Sequence, residues 1–378
     1  MARARDIKKR RSALEQLIDL PLFLLIFGVA SVSMLIPALH GGAVRNLDTA
    51  RMFFYSGILG LTLFSLIAIA HAGRRPRHGA LGTLMSLFST FVFLPGFLAV
   101  PFYEGLGTTS YLNAYVEMVS AITTTGATLF QDPERLDSTL HLWRAQVGWM
   151  GGAVMWIAAS AILAPLNLGG FEVTAQAEPG QREALTSLIG RADPRARLLR
   201  VTSALLPIYI GLTLLLWVLL MVSGDASLVA LCHAMSVMAT SGISPVGGVE
   251  FSGSGITGEA LVLLFMFFAL SRLTFSSDTI TATQGGLRTD PEFRLGLVLV
   301  IGVPLILFFR HWLGAFDVAA EDDLTQAANA LWGSVFTVMS FLTTTGFASE
   351  HWAQTQAWSG LDTPGLILMG LALIGGGV

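Results

Sequence analysis

Stretches of about 20 apolar residues, each long enough to cross the hydrocarbon core of a bilayer, recur along this chain. They are Leu17–Leu39, Arg51–His71, Leu81–Phe102, Leu142–Pro165, Leu198–Val222, Ala260–Ile280 and Leu295–Trp312, and Gly365–Val378 begins another. Charged residues make up 12% of the chain, against about 25% in a soluble domain. The pattern is that of an all-α polytopic membrane protein. Cys232 is the only cysteine, which excludes an internal disulfide, and no His/Cys cluster has metal-ligand spacing. Arg3, Arg5, Lys8, Lys9, Arg10 and Arg11 precede the first apolar stretch. A signal peptide has a similar order, but this stretch is of spanning length and no small-residue cleavage site follows it. We read it as an uncleaved first helix behind a cytoplasmic basic tail held at anionic headgroups.

Between the spans lie segments too short or too polar to cross: Thr108–Ile122, Ala226–Met238 and Thr325–Leu342. Each ends in a hydroxyl-rich loop centred on glycine. The first is Thr123-Thr124-Thr125-Gly126-Ala127-Thr128, the second Ala239-Thr240-Ser241-Gly242-Ile243-Ser244, the third Thr343-Thr344-Thr345-Gly346-Phe347-Ala348. They recur roughly a hundred residues apart, which makes them an internal repeat. Charge supports a re-entrant reading of the short segments. With the amino terminus inside, the basic tail, the Arg74–Arg77 turn, the Leu166–Arg200 stretch and the Arg288–Arg294 connection all fall on the cytoplasmic side. The outer side keeps Arg45, Arg51, Arg135, Arg144, Arg310 and the acidic run Asp317–Asp323. That satisfies the positive-inside bias; full crossings would scramble it.

Irregular backbone at membrane depth is tolerated only where protein buries it or water lines it. Glycine reaches backbone angles closed to other residues, so successive carbonyls can turn toward one axis. Rings of carbonyls can replace the hydration shell of a potassium ion. The short helix before each loop aims its partly negative C-terminal end at the same place. These features point to a cation pathway.

Specific residues then resemble a known group. Glu117 through Thr128, Leu142-Trp143-Arg144, Trp149-Met150-Gly151-Gly152, Gly169-Gly170-Phe171, Ala177-Glu178-Pro179-Gly180, Tyr209 and Thr343-Thr344-Thr345-Gly346-Phe347 look like the TrkH/KtrB family of bacterial potassium transporters, in the Trk/Ktr/HKT superfamily. The resemblance runs from about Leu17 to the last residue. It implies tandem helix–pore helix–helix repeats around a pseudo-fourfold pore, behind two extra N-terminal helices. Ions would be held by Thr124, Thr125 and Gly126, by Thr240, Ser241 and Gly242, and by Thr344, Thr345 and Gly346. Glycine at position 126 favours potassium, because relatives that admit sodium often carry serine at the first filter glycine. The resemblance implies a homodimer gated by a cytosolic nucleotide-binding ring protein (TrkA/KtrA-like), in the bacterial inner membrane, with potassium as substrate and no cofactor. A complete member has a fourth repeat. Here the chain ends at Ile374-Gly375-Gly376-Gly377-Val378, a glycine run that in the family opens a gating loop beneath the filter, so a C-terminally truncated chain is expected. The expected segments are 1–78 (basic tail and two spans), 79–170 (repeat 1), 171–197 (cytoplasmic loop), 198–284 (repeat 2) and 285–378 (repeat 3, incomplete).

Other residues were weighed on their own chemistry. Arg272, inside the span Ala260–Ile280 with Asp278 near the same end, is either a gate-lining charge or a side chain snorkelling to the interface. Glu117, His233 and Thr337 each lie nine positions before a loop glycine; anchoring of the short helix is favoured for Glu117 over a role in outer-mouth potential. The acidic run reads as a solvated loop with an N-cap, and the tryptophans as interfacial anchors. Nothing points to nucleic acid. A membrane enzyme would need convergent nucleophile, base or metal ligands, and His71, His141, His233 and His351 are scattered. The alternatives within transport are a sodium-permeable relative and a non-conducting scaffold.

Overall fold

A computed structural model describes residues 20–71, 80–163, 194–270, 291–314, 324–360 and 365–375. Among these, the regular structure is helical. Six stretches are long and apolar enough to cross a membrane: Leu22–Ala43, Leu47–His71, Leu81–Leu106, Ser138–Leu163, Arg197–Val222 and Phe293–Arg310. Arg272, Asp278, Gly376, Gly377 and the acidic run fall outside the described residues.

The chain forms two compact units, 1–115 and 116–378. In the first, α1 (Leu22–Ser33), α2 (Leu35–Ala43), α3 (Leu47–His71), α4 (Ala80–Val92) and α5 (Leu94–Leu106) pack together. Two spans expected as single helices are broken, and proline explains both. Pro37 and Pro95 lack an N–H and crowd the carbonyl four residues back, so the helix pairs join at Met34 and Phe93. The break at Phe93 leaves carbonyls with spare capacity. Tyr115 Oη donates to the Val92 carbonyl at 2.9 Å and Tyr111 Oη to that of Gly96 at 2.6 Å. Phe53, Leu98 and Phe102 are fully enclosed, while Leu39, Tyr55, Leu66 and Ile69 face outward. Apolar residues on the outside suit lipid as the surrounding solvent.

The second unit carries α6 (Tyr111–Ile122, which begins in the first), α7 (Ser138–Ala158), α8 (Pro194–Val222), α9 (Ser227–Ala239), α10 (Gly255–Met266), α11 (Pro291–Gly314), α12 (Leu324–Leu342), α13 (Trp352–Ser359) and α14 (Gly365–Gly375). A π-turn, Ala159–Leu163, continues α7, and a 3-10 turn, Phe267–Leu270, continues α10. The short helices are buried mainly along their C-terminal halves. On α9, Cys232, His233, Ala234 and Ser236–Ala239 are all buried, and on α12 so are Ser334, Phe336–Ser340 and Leu342. Their partners α8 and α11 bury one face, through Tyr209, Leu216, Leu220 and Val300, and turn Leu214, Leu215, Val218, Val298 and Ile306 outward. The short helices are therefore wrapped by protein rather than lipid, which is the setting their polar residues require.

Two expectations change here. Arg144 is not an outer-surface charge: it is buried and ion-paired. Several tryptophans serve protein packing rather than an interface. Trp143 is fully enclosed, Trp149 stacks on Tyr209 and donates to Thr213, and Trp332 donates to Glu259. Their rings bury apolar area, and the indole N–H groups of Trp149 and Trp332 find acceptors.

Candidate functional site

The three glycine loops share one backbone conformation. Helices α6, α9 and α12 each end with a threonine in the left-handed region: Thr124 at φ 54°, Thr240 at 48° and Thr344 at 57°. Behind each lies the same pair of bonds. Thr124 N–H donates to Ala121 O and Thr125 N–H to Ser120 O. Thr240 and Ser241 do the same to Val237 and Ser236, and Thr344 and Thr345 to Phe341 and Ser340. This is a Schellman cap, in which glycine is the usual left-handed residue. Placing a β-branched residue there costs about 1–2 kcal/mol each time. Strain repeated at equivalent points clusters at functional sites.

The glycine follows two residues after each strained threonine, again left-handed: Gly126 at φ 72°, Gly242 at 64° and Gly346 at 81°. Here the loops meet. A Cβ on Gly126 would collide with the Ser241 carbonyl oxygen, and one on Gly242 would lie 2.5 Å from the Thr345 carbonyl oxygen. Gly126 and Gly242 are thus each seated against the carbonyl that precedes the next loop's glycine. Gly346 faces open space, and Thr125 of the first loop is exposed. Both contacts run from one loop to the next along the chain, and among the described residues Gly346 makes none of this kind.

A polar pair on one face of each short helix holds the loop from behind. The positions are Glu117 and Ser120, His233 and Ser236, Thr337 and Ser340, three residues apart and therefore on the same side. Ser120 Oγ donates to the Ala127 carbonyl at 2.6 Å, Ser236 Oγ accepts from Ser241 Oγ at 3.3 Å, and Ser340 Oγ accepts from Phe347 N–H at 2.7 Å. The second member of each pair grips the chain past the glycine. Glu117 accepts from Leu129 N–H at 3.1 Å, His233 Nε2 bonds Ser244 Oγ at 2.8 Å, and Thr337 Oγ1 accepts from Ser349 N–H at 3.2 Å. Glu117 is therefore an anchor. The sequence signal for the serines was present, six positions before each glycine, and went unread.

The next helix locks this arrangement. On α7, Arg144 pairs with Glu117 at 2.6 Å, both buried. Gly151 brings α7 against the Ile122 carbonyl at the end of α6, and Gly152 brings it against Ala239, the last residue of α9. On α10, Glu259 is 1% exposed and was not foreseen. It accepts from Trp332 Nε1 at 2.7 Å, Ser349 Oγ at 2.7 Å and Glu350 N–H at 2.6 Å, so it ties α10 to α12 and to the chain past the third loop. Glu259→Gln replaces one acceptor oxygen with a donor. It is expected to lower stability by about 2 kcal/mol, read as a fall in the melting temperature of the solubilised protein, with Thr337→Val adding to it because both grip Ser349. Before α9, Asp225 accepts from Ser254 N–H at 2.8 Å, and its free oxygen lies 3.9 Å from His233 Nδ1. Burial pushes the Asp225 carboxyl up, but His233 and Ser254 together bring it below the usual range.

Of the predicted site residues, Thr124 through Gly126, Thr240 through Gly242 and Thr344 through Gly346 converge as described. Gly375 ends α14 and takes no part in the loops' contacts described above. Among the described residues, no group of His, Cys, Asp or Glu could hold a metal ion. Carbonyl oxygens held against glycines and fixed from behind by buried hydrogen bonds are acceptors of a kind that can face a donor or a cation.

No protein-family model matches the chain. It is 29% identical over 271 residues to the Trk system potassium uptake protein TrkI of Halomonas elongata, a match covering 71% of this chain and 51% of that protein. It is 27% identical over 342 residues to the Trk system potassium uptake protein TrkH of Vibrio parahaemolyticus, covering 87% and 66%. The chain thus spans about half to two thirds of these relatives. Its fold matches the crystal structure of the potassium transporter TrkH from Vibrio parahaemolyticus, with a TM-score of 0.70 at 21% identity, over 96% of this chain and 70% of that one.

Proposed function

We infer that the chain is a TrkH/KtrB-type protein and carries the potassium-selective filter of a Trk-type uptake system. One observation carries the reading. In two successive loops a left-handed glycine is seated against the next loop's carbonyl oxygen, so ligand spacing is set by backbone contact. Potassium would be coordinated by carbonyls at Thr124 and Thr125, Thr240 and Ser241, and Thr344 and Thr345. Dipole rings of this kind replace the ion's hydration shell, and the C-terminal ends of α6, α9 and α12 add negative potential.

Three loops make three sectors, and selectivity requires a closed ring; the relatives' greater length leaves room for a further sector. The division into repeats 79–170, 198–284 and 285–378 belongs to the same proposal. So do Arg272 and the run Gly375–Gly377 as gate elements, a homodimer, and a cytosolic nucleotide-binding ring as regulator. The setting is the bacterial inner membrane with a cytoplasmic N-terminus, since the basic tail then lies inside. The sodium-permeable alternative is disfavoured by the contact at Gly126, because a serine there would displace the Ser241 carbonyl. The test is growth of an uptake-deficient bacterium at low potassium, with the complete reading frame expressed beside its ring partner. Rescue is expected; its failure from verified, membrane-inserted protein overturns the reading.

A further inference from the structure

The three grips on the chain past each glycine use different chemistry. In the first loop it is a carboxylate already paired with Arg144, and in the third a threonine hydroxyl. Only the second uses an imidazole, the one side chain that ordinarily changes charge near neutral pH. His233 is fully buried. Its Nε2 holds Ser244, whose Oγ also accepts from Val246 N–H at 3.2 Å. Its Nδ1 faces Asp225 Oδ2 across 3.9 Å, and neither atom has a hydrogen-bond partner. That separation is too long for a direct hydrogen bond. The other Asp225 oxygen is held by Ser254 at the start of α10. The Phe347 ring of the third loop packs edge-on against the imidazole at 5.6 Å. Arg144 approaches α9 from α7, close enough to act on Cys232, the residue before His233. Among the described residues, the ion-pairing group set against the ring is Asp225.

We propose that His233 is a proton-sensing positioning residue for the second loop: its protonation closes the gap to Asp225, re-sets the bond to Ser244 and weakens potassium binding at Gly242. The proposal rests on the filter reading above. The sign follows from charge. A neutral ring beside a carboxylate leaves one net negative charge behind the loop, which favours a cation in front of it; a protonated ring beside the same carboxylate leaves none. Geometry acts in the same direction. With protons on both nitrogens, Nε2–H must donate to Ser244 Oγ, so that hydroxyl can no longer donate to the ring. The change enters two residues beyond Gly242, whose Cα is seated against the Thr345 carbonyl.

The test compares potassium flux into proteoliposomes holding the full-length protein at pH 5.5 and pH 8. Wild-type flux is expected to fall threefold to tenfold at the lower pH, about the effect of one charge at this range in a protein. His233→Gln keeps a donor for Ser244 but cannot titrate, and its flux should be the same at both pH values. Asp225→Asn keeps the acceptor for Ser254 and removes the negative charge, so its flux at pH 8 should already sit at the wild type's low-pH level. In parallel, nitrogen NMR of histidine-labelled protein reads the ring directly, with the His233 signals assigned by their absence from the glutamine variant. A His233 that keeps one protonation state from pH 5 to 9 overturns the proposal whatever the flux does. So does a glutamine variant that retains the wild-type pH profile. Absence of potassium flux from wild type at every pH instead overturns the filter reading itself, and the proposal with it.

Discussion

Replacing Gly126 by alanine is expected to abolish selective potassium uptake. Two separate penalties fall on that one methyl group. Gly126 sits at φ 72°, where an alanine costs about 1–2 kcal/mol. Its new Cβ would also occupy the space of the Ser241 carbonyl oxygen. Overpacking of this kind costs about 1–3 kcal/mol, and the atom forced to move is itself a proposed potassium ligand. The substitution is made in the first loop, but the ligand geometry is lost in the second. Gly126→Ser carries the same Cβ and should lose preference for potassium over sodium. Gly302→Ala on α11 serves as the control, because a Cβ there meets nothing within 4 Å, and it should behave as wild type. The measurement is uptake of potassium and sodium by cells or proteoliposomes holding each full-length variant. Wild-type selectivity in Gly126→Ala would mean that the first two loops do not abut.

Arg144→Ala should be the most destabilising single change in the first loop's support. It leaves the Glu117 carboxylate, 2% exposed, with Leu129 N–H as its remaining partner among the contacts described. Removing one member of a buried ion pair costs about 3–5 kcal/mol, chiefly because a charge is stranded out of water. The expected result is loss of the folded, monodisperse protein in detergent, or a steep fall in its melting temperature. Combining Arg144→Met with Glu117→Gln removes both charges and retains an acceptor for Leu129, so most of the stability should return. Recovery in the double variant separates a stranded charge from lost packing of the arginine stem. If Arg144→Ala melts with wild type, the pair does not anchor the loop.

The sequence reading reached the spans and the three loops because both rest on local signals. Apolar length is a property of consecutive residues, and the Thr/Ser–Gly pattern repeats in register with each short helix. It missed what depends on residues distant in the chain. In the sequence Arg144 counts as an outer-side charge near the start of the span Leu142–Pro165; its partner, Glu117, is met only when α7 packs against α6. Glu259 sits in an apolar run, and its three partners lie 73 to 91 residues away. The serines at 120, 236 and 340 were legible, since they keep a fixed offset from the glycines, but hydroxyls are common enough that the offset carries meaning only beside the loop geometry. The breaks at Met34 and Phe93 could have been read from Pro37 and Pro95. Which carbonyl each glycine meets could not be read, because that contact joins different repeats.

The central claim is that these loops select potassium by backbone carbonyls set in place by glycine. The most direct measurement is the potassium-to-sodium flux ratio of the purified full-length protein in proteoliposomes, with its ring partner present and insertion verified. The account predicts potassium flux well above that of sodium, and a ratio approaching one when Gly126 is changed to serine. Equal permeation of the two ions by the wild-type protein, or a ratio that Gly126→Ser leaves untouched, would contradict it.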